Sequence, residues 1–248
     1  MRCFAIAGHN IGPLYPCFII AEAGVNHNGD LAMAKELVVA AAQARADAVK
    51  FQTFNADTLV SVDSPESALK MFRRLTLSSS AHFELKSLAD KLGILFISTP
   101  FDERSADLLQ NVGVPAFKVS SGDLTNLPLL RHVASKGRPI ILSTGMAFLS
   151  EVADAVKAVL NAGCTQLALL HCVSNYPADV ADVNLRAISV LREAFSRPVG
   201  YSDHTLGIEV PIAAVAMGAS IIEKHFTLDY RLPGPDHHMS LEPDQLSQ

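Results

Sequence analysis

Residues 18–52 read FIIAEAGVNHNGDLAMAKELVVAAAQARADAVKFQ. A short apolar, β-branched run (Phe18–Ala23) leads into a stretch with apolar residues at helical spacing (Leu31–Ala44), and then into a second short run, Ala48–Gln52. Strand, helix and strand in that order form the unit that joins two parallel strands, because a parallel pair needs a long crossover. The alternation continues outward from this unit. Runs at Ile94–Ser98, Ala116–Val119, Ile140–Ser143, Leu167–His171, Val199–Ser202 and Ile221–His225 are separated by helical patterns such as Ala81–Leu92 and Glu151–Asn161. Eight such strands predict an α/β fold, a closed (β/α)8 TIM barrel. A doubly wound open sheet would more usually have fewer strands, and no GxGxxG turn follows the first run.

Two segments fall outside the repeat. Residues 1–17 are read as an N-terminal segment carrying a hairpin over residues 3–13, with Gly8 to Asn10 supplying the turn, placed to plug the N-terminal mouth. Residues 18–248 are read as the barrel domain. Leu241–Gln248 begins the eighth helix, which is expected to be truncated, leaving the eighth strand uncovered with apolar residues such as Ile221 exposed.

Composition narrows the function classes. The chain has 248 residues, 49% of them hydrophobic and 18% charged, enough for one large core and short for two ordinary domains. A formal net charge of −5 provides no field for nucleic acid or an anionic membrane surface, so an anionic ligand needs a local cluster of cations. No apolar run approaches the roughly 18 residues that span a bilayer, and no secretory signal is present, so a cytoplasmic location is the default expectation. Cys3, Cys17, Cys164 and Cys172 form no CxxC pair and are expected to be reduced core or near-core thiols.

Strands of a parallel barrel are buried on both faces, so charged residues within or just after them are costly unless paired or used. Here the strand ends read AEAGVNHNG (21–29), KFQTF (50–54), STPFD (98–102), KVSSGD (118–123), LSTGM (142–146), LHCVSNYP (170–177), GYSDHT (200–205) and EKHFTLD (223–229). Polar groups gather at the C-terminal ends, where barrel enzymes place their active sites. Period-two alternation puts Lys50 with Gln52, Ser202 with His204, and Glu223 with His225 on common faces. Val49, Phe51 and Tyr201 have the opposite parity and face the helices, whereas Lys224 breaks the pattern and must reach outward.

His204 and His225 fall at matching depths on the seventh and eighth strands, beside Asp203 and Glu223. This spacing admits either hydrogen-bonded core histidines or two ligands of one metal ion. With nitrogen and oxygen donors only, Mn²⁺, Mg²⁺, Fe²⁺ or Co²⁺ is favoured over structural zinc. Lys50 and Lys118, with hydroxyls at Thr99, Ser120, Ser121 and Ser143, form either a cup for a phosphate or carboxylate, or lysines paired with Glu22 or Asp123 and hydroxyls that cap helices. Glu22 is the best-placed general acid or base, with the role of a lysine counter-ion as its alternative. His237 and His238, after Pro233-Gly234-Pro235-Asp236, lie on the last βα loop, either closing over a ligand or facing solvent.

Taken together, AEAGVNHNG, KFQTF, STPFD, GYSDHT, IEKHFTLD (222–229) and LPGPDH (232–237) closely resemble the N-acetylneuraminate (sialic acid) synthase family, which includes legionaminic and pseudaminic acid synthases and a spore-coat polysaccharide enzyme. The resemblance runs from about residue 18 to the end. It implies a transferase that forms a C–C bond between phosphoenolpyruvate and an open-chain N-acetylated amino sugar, giving a nonulosonic acid and phosphate. It further implies that His204 and His225 hold a divalent ion, foremost Mn²⁺ with Mg²⁺ or Co²⁺ as alternatives. Lys50, Thr99, Lys118, Ser121, Ser143 and Ser202 would then bind phosphoenolpyruvate, while Gln52, Tyr176, Glu223 and Asp236 would contact the sugar. Glu22 would handle the proton and water at the reacting carbon. The family commonly has an asparagine two positions before this tyrosine, where the present sequence has Ser174 with Asn175 beside it.

Family members also carry a small antifreeze-like domain after the barrel, with an arginine that reaches the neighbouring subunit's sugar site. This sequence contains the barrel only, so the chain alone is expected to be a poor synthase and to form a homodimer or larger assembly. Two alternatives accompany this reading. One is another phosphoenolpyruvate-dependent aldol-type synthase of keto-sugar acids, which would need additional basic residues for a phosphorylated sugar; the other is a truncated, non-catalytic sugar-binding barrel.

Overall fold

In the computed structural model, which describes residues 3–61 and 63–248, eight parallel strands close into a barrel. A two-stranded antiparallel hairpin, β1 (Phe4–Ile6) and β2 (His9–Ile11), precedes it. The barrel strands are β3 (Phe18–Gly24), β4 (Ala48–Thr53), β5 (Leu95–Pro100), β6 (Phe117–Val119), β7 (Ile140–Ser143), β8 (Leu167–Cys172), β9 (Val199–Asp203) and β10 (Ile221–His225). They pair in sequence order, and β10 closes on β3. Two strands have the bounds expected from the sequence; the others differ by one or two residues at their ends, where frayed pairing carries no periodic signal.

Helices cross over between the strands and cover the barrel. Those anticipated from periodicity are α1 (Leu31–Gln43), α4 (Ser79–Leu92) and α7 (Leu149–Asn161). Asp30 starts α1 by accepting from the Ala32 and Met33 N–H groups, and Ser78 does the same for α4 through Ala81. Two short helices that periodicity did not suggest, α2 (Ala56–Leu59) and α3 (Glu66–Leu75), extend the loop after β4. The remaining helices are α5 (Glu103–Val112), α6 (Leu127–Ala134), α8 (Ala187–Phe195), α9 (Glu209–Ala216) and α10 (Pro243–Leu246). Among the described residues, no helix is long and apolar enough to cross a membrane.

Side-chain alternation produces two apolar layers. Val49, Phe51, Phe96, Phe117, Leu142, Leu169, Tyr201 and Ile222 point outward into the layer shared with the helices. Ile20, Ala48, Ile97, Ala116, Ile141, Ala168, Leu170 and Ile221 fill the barrel interior, together with Ile6 and Ile11 from the hairpin. The hairpin therefore plugs the N-terminal mouth. Its turn is Ala7-Gly8, with Ile6 paired to His9, and not Gly8 to Asn10; both turn residues adopt positive φ (46° and 91°), which an alanine does not advertise. Gly200 is required by close approach, since a Cβ there would lie 2.2 Å from the Ile221 carbonyl oxygen. Ile11→Ala, which opens a void among fully buried residues, is expected to cost about 2–5 kcal/mol in a denaturant titration. A change below about 0.5 kcal/mol would show that the plug adds nothing to stability.

The C-terminal segment differs from expectation. Ile221 is fully buried inside the barrel, not exposed; its neighbour Ile222 faces outward and is only 4% exposed. A parallel bridge from Phe226 to Leu241 and the single turn of α10 lie beside the last strand, where Leu241 and Leu246 pack on the outer core. The four cysteines are free, but Cys3 is exposed instead of near the core.

Candidate active site

The inward-facing residues change character along the barrel axis, from apolar in the lower layers to ionic at the C-terminal mouth. Strands β3, β4, β6 and β10 deliver Glu22, Lys50, Lys118 and Glu223 to the same level, all buried. Lys50 Nζ lies 2.8 Å from Glu22 Oε2 and 3.5 Å from Glu223 Oε2, and Lys118 Nζ lies 3.5 Å from Glu223 Oε1. Lys50 donates to Thr99 Oγ1 (3.0 Å), Ser202 Oγ to Glu223 Oε1 (2.8 Å) and Gln52 Nε2 to Glu22 Oε1 (3.4 Å). Lys118 thus pairs with Glu223, while Asp123 accepts from Ser120 Oγ.

The two carboxylates occupy different electrostatic positions. Burial lifts Glu22 to about 7, against the opposing pull of Lys50. Burial also pushes Glu223 upward, but Lys118 and Lys50 outweigh it and hold the carboxyl at about 2. Burial lowers the Lys118 ammonium; it would lower Lys50 too, were it not for Glu22 and Glu223, whose charges raise it. The quartet is an ionised core with one carboxyl poised to exchange a proton near neutrality.

Above it stands the imidazole pair. His204 follows β9 and His225 ends β10, with ring centroids 5.5 Å apart. His204 Nδ1 donates to the Val173 carbonyl (2.6 Å), which fixes the tautomer and leaves Nε2 with its lone pair. His225 Nδ1 is buried with no hydrogen-bond partner and lies 3.9 Å from Asp236 Oδ2. Burial lowers both imidazoles, His225 well below its usual value with help from His204 and Lys50, so both are neutral at pH 7. Tyr176 lies over His204 at 4.1 Å between ring centroids.

Two neutral imidazoles, one with an orphaned nitrogen, suit a divalent ion whose other positions are left to oxygen ligands. Among the described residues, no group of three or more His, Cys, Asp or Glu side chains converges as a ligand set. In particular Asp203 does not join the histidines, as its side chain points outward to Lys224.

The cavity at this mouth holds about 310 Å³ and is lined by Glu22, Lys50, Gln52, Thr99, Lys118, Ser121, Ser143, Tyr176, Ser202, His204, Glu223 and His225, which are the residues singled out in the sequence. Ser143 Oγ is buried there without a partner, and Ser121 Oγ accepts from the Gly145 N–H (3.0 Å). Asp236 stands just behind this lining, near Gly24 and His225, with burial raising its carboxyl to about 6. Ser174 lines the cavity while Asn175 is exposed, so the serine takes the inward place. His237 is fully buried, its Nε2 accepting from Asn28 Nδ2 (3.1 Å) and its Nδ1 donating to Thr227 Oγ1 (2.6 Å), and so anchors the last loop instead of closing over a ligand. His238 is exposed.

Sequence reading missed Phe101, Gly122, Met146 and Cys172 as site residues, named Ser120 only as a hydroxyl of the cup and Ser174 only as the residue at the position of the family's asparagine; all six line the cavity. Cys172 shares the inward parity of Leu170, and Ser120 that of Lys118, so alternation could have found both. Phe101, Met146 and Ser174 sit on loops that carry no period.

A closed parallel barrel with a buried cluster of two lysines and two glutamates and a pair of imidazoles at its C-terminal mouth defines a class, that of α/β-barrel proteins with their polar site at the end where barrel enzymes carry their chemistry. Comparison with known proteins names the family within it. The NeuB family model matches residues 37–248, and the chain belongs to that family. N,N'-diacetyllegionaminic acid synthase of Legionella pneumophila is 54% identical over 251 residues, covering 95% of this chain and 70% of that protein. A crystal structure of N-acetylneuraminic acid synthetase from Leptospira borgpetersenii superposes with a TM-score of 0.95 at 40% identity, covering 99% of this chain and 85% of that one. The spore coat polysaccharide biosynthesis protein SpsE of Bacillus subtilis superposes at 0.90 with 43% identity, over 99% and 69%.

Proposed function

We propose that this chain condenses phosphoenolpyruvate with an open-chain N-acetylated amino sugar, giving a nonulosonic acid and inorganic phosphate. The observation that carries the reading is the juxtaposition of Lys50 and Lys118 with the unpartnered Ser143 hydroxyl on one side and the His204–His225 pair on the other, within one cavity. The names of the synthases similar to this chain support it. His204 and His225 would hold a divalent ion, Mn²⁺ foremost, and such an ion supplies Lewis-acid polarisation of an aldehyde carbonyl.

The remaining chemistry falls to the chain's own residues. Lys50 and Lys118, with Thr99, Ser121, Ser143 and Ser202, offset and orient the phosphate and carboxylate of phosphoenolpyruvate. Gln52, Tyr176, Glu223 and Asp236 bound the side from which the sugar approaches. The vinyl C3 of phosphoenolpyruvate forms the new bond to the aldehyde carbon, whose oxygen takes the proton held by the Glu22 carboxyl, and C2 becomes electron-poor. Water adds at C2, orienting on Glu22, which accepts its proton. The C2–O bond to phosphate then breaks, the electron pair leaves with phosphate, and the added hydroxyl becomes the keto group as its proton passes to the departing phosphate. Glu22 is suited to both directions of proton movement because burial holds it near neutrality.

The test is phosphate release from phosphoenolpyruvate in the presence of N-acetylated amino sugars and Mn²⁺, with phosphorylated aldoses as controls. Release with the amino sugars alone is the expected result; release only with phosphorylated aldoses, or none, overturns the proposal. With ¹⁸O at the bridging position, the label is expected in phosphate, and label in the product's keto oxygen would exclude C–O cleavage.

A further inference from the structure

Outward positions on the barrel strands are apolar at Val49, Phe51, Phe96 and Leu169, where they meet the helices. Asp203 and Lys224 break this rule. They are cross-strand partners on β9 and β10, 0% and 3% exposed, and Lys224 Nζ donates to Asp203 Oδ2 at 2.5 Å and also to the Thr205 carbonyl. Asp203 Oδ1 accepts from the Thr205 N–H (3.0 Å) and from Thr205 Oγ1 (2.8 Å). A buried ion pair of this kind gains little stability over well-packed apolar residues, so stability alone does not account for it.

What the pair does do is geometric. It staples the turn 203–205 from both ends, and His204 is the middle residue of that turn. The same bond ties this turn to the residue immediately before His225, whose Nδ1 has no hydrogen-bond partner to orient the ring. The backbone beneath both imidazoles is therefore fixed from the outer face of the wall, while His204 alone is also held through its ring, by the Val173 carbonyl.

We infer that the Asp203–Lys224 ion pair, with Thr205, positions His204 and His225 at a common depth and so sets the affinity of the imidazole pair for a divalent ion. This rests on the reading of His204 and His225 as the metal-holding residues. Asp203, Lys224 and Thr205 are positioning residues, since none of them lines the cavity.

The experiment measures Mn²⁺ binding by electron paramagnetic resonance and phosphoenolpyruvate binding by calorimetry in metal-free buffer, on the full chain. Combining Lys224→Met with Asp203→Asn removes both charges without stranding either. That variant is expected to bind Mn²⁺ about tenfold or more weakly, with phosphoenolpyruvate affinity changed by less than about threefold, because the anion cup draws mainly on strands β4 to β7. Lys224→Arg, which keeps the charge, is expected to retain most of the Mn²⁺ affinity. Thr205→Val deletes one donor to Asp203 and introduces no charge, so it gives the same directional readout if the double variant does not fold. Unchanged Mn²⁺ affinity in a folded variant, or parallel loss of both ligands, overturns the inference. If the unaltered chain and His204→Ala bind Mn²⁺ equally, the metal reading itself fails and this inference falls with it.

Discussion

Chelation of divalent ions is expected to reduce phosphate release from phosphoenolpyruvate to background, and Mn²⁺ to restore it. A vinyl carbon is a weak nucleophile, and an aldehyde that nothing polarises is a poor partner for it. In this proposal the protein's own cations do not substitute, because Lys50 and Lys118 are taken up by the phosphate and carboxylate of phosphoenolpyruvate and share Glu22 and Glu223 between them. His204→Ala removes one of two neutral nitrogen donors and is expected to abolish Mn²⁺ binding and to lower kcat/KM by about 10³-fold or more, several kcal/mol of barrier. Full turnover by a metal-free sample, or an undiminished Mn²⁺ affinity in the variant, would remove the metal from the proposal.

Glu22→Gln is expected to lower kcat by about 10²-fold or more while leaving phosphoenolpyruvate binding nearly intact, since the amide keeps the shape of the carboxyl and loses its proton exchange. An unchanged kcat would reduce Glu22 to a counter-ion of Lys50. The same substitution has a signature in stability. Burial raises the folded-state Glu22 carboxyl from the usual range to about 7, so the folded protein favours the protonated form. Stability from this group is fully present below the ordinary carboxyl range and declines as pH rises through about 7. The glutamine variant should lack that decline, and denaturant midpoints at mildly acidic and mildly alkaline pH would reveal it. Identical pH profiles for the two proteins would show that Lys50 compensates the buried charge completely.

The barrel was legible because its signal is repeated. Each unit restates the same alternation of short β-branched runs and helical spacing, and the inward parity of Lys50, Gln52, Ser202, His204, Glu223 and His225 follows from a period of two. Positions on loops had no such support. Phe101, Met146 and Ser174 reach the cavity through loop conformation, and the Ala7-Gly8 turn depends on a positive φ at an alanine, which no local pattern marks. The extra helices α2 and α3 went unseen because α2 is a single turn and α3 has Leu75 as its sole buried residue.

By itself the sequence determined the fold class, the end of the barrel that carries the chemistry, and the residues that would face inward there, because strand periodicity and the cost of burying charge act locally and recur in every unit. Only the tertiary structure decided which charges meet. Lys118 chooses Glu223 over Asp123, Asp203 turns away from the histidines to hold Lys224, and Glu22 and Glu223, identical in sequence terms, part company. Glu22 has one lysine within ion-pair distance and Glu223 has two, so burial wins at the first and attraction at the second. Coulomb energies in a dry interior depend on distances across the barrel, and those distances do not exist until the eight strands close.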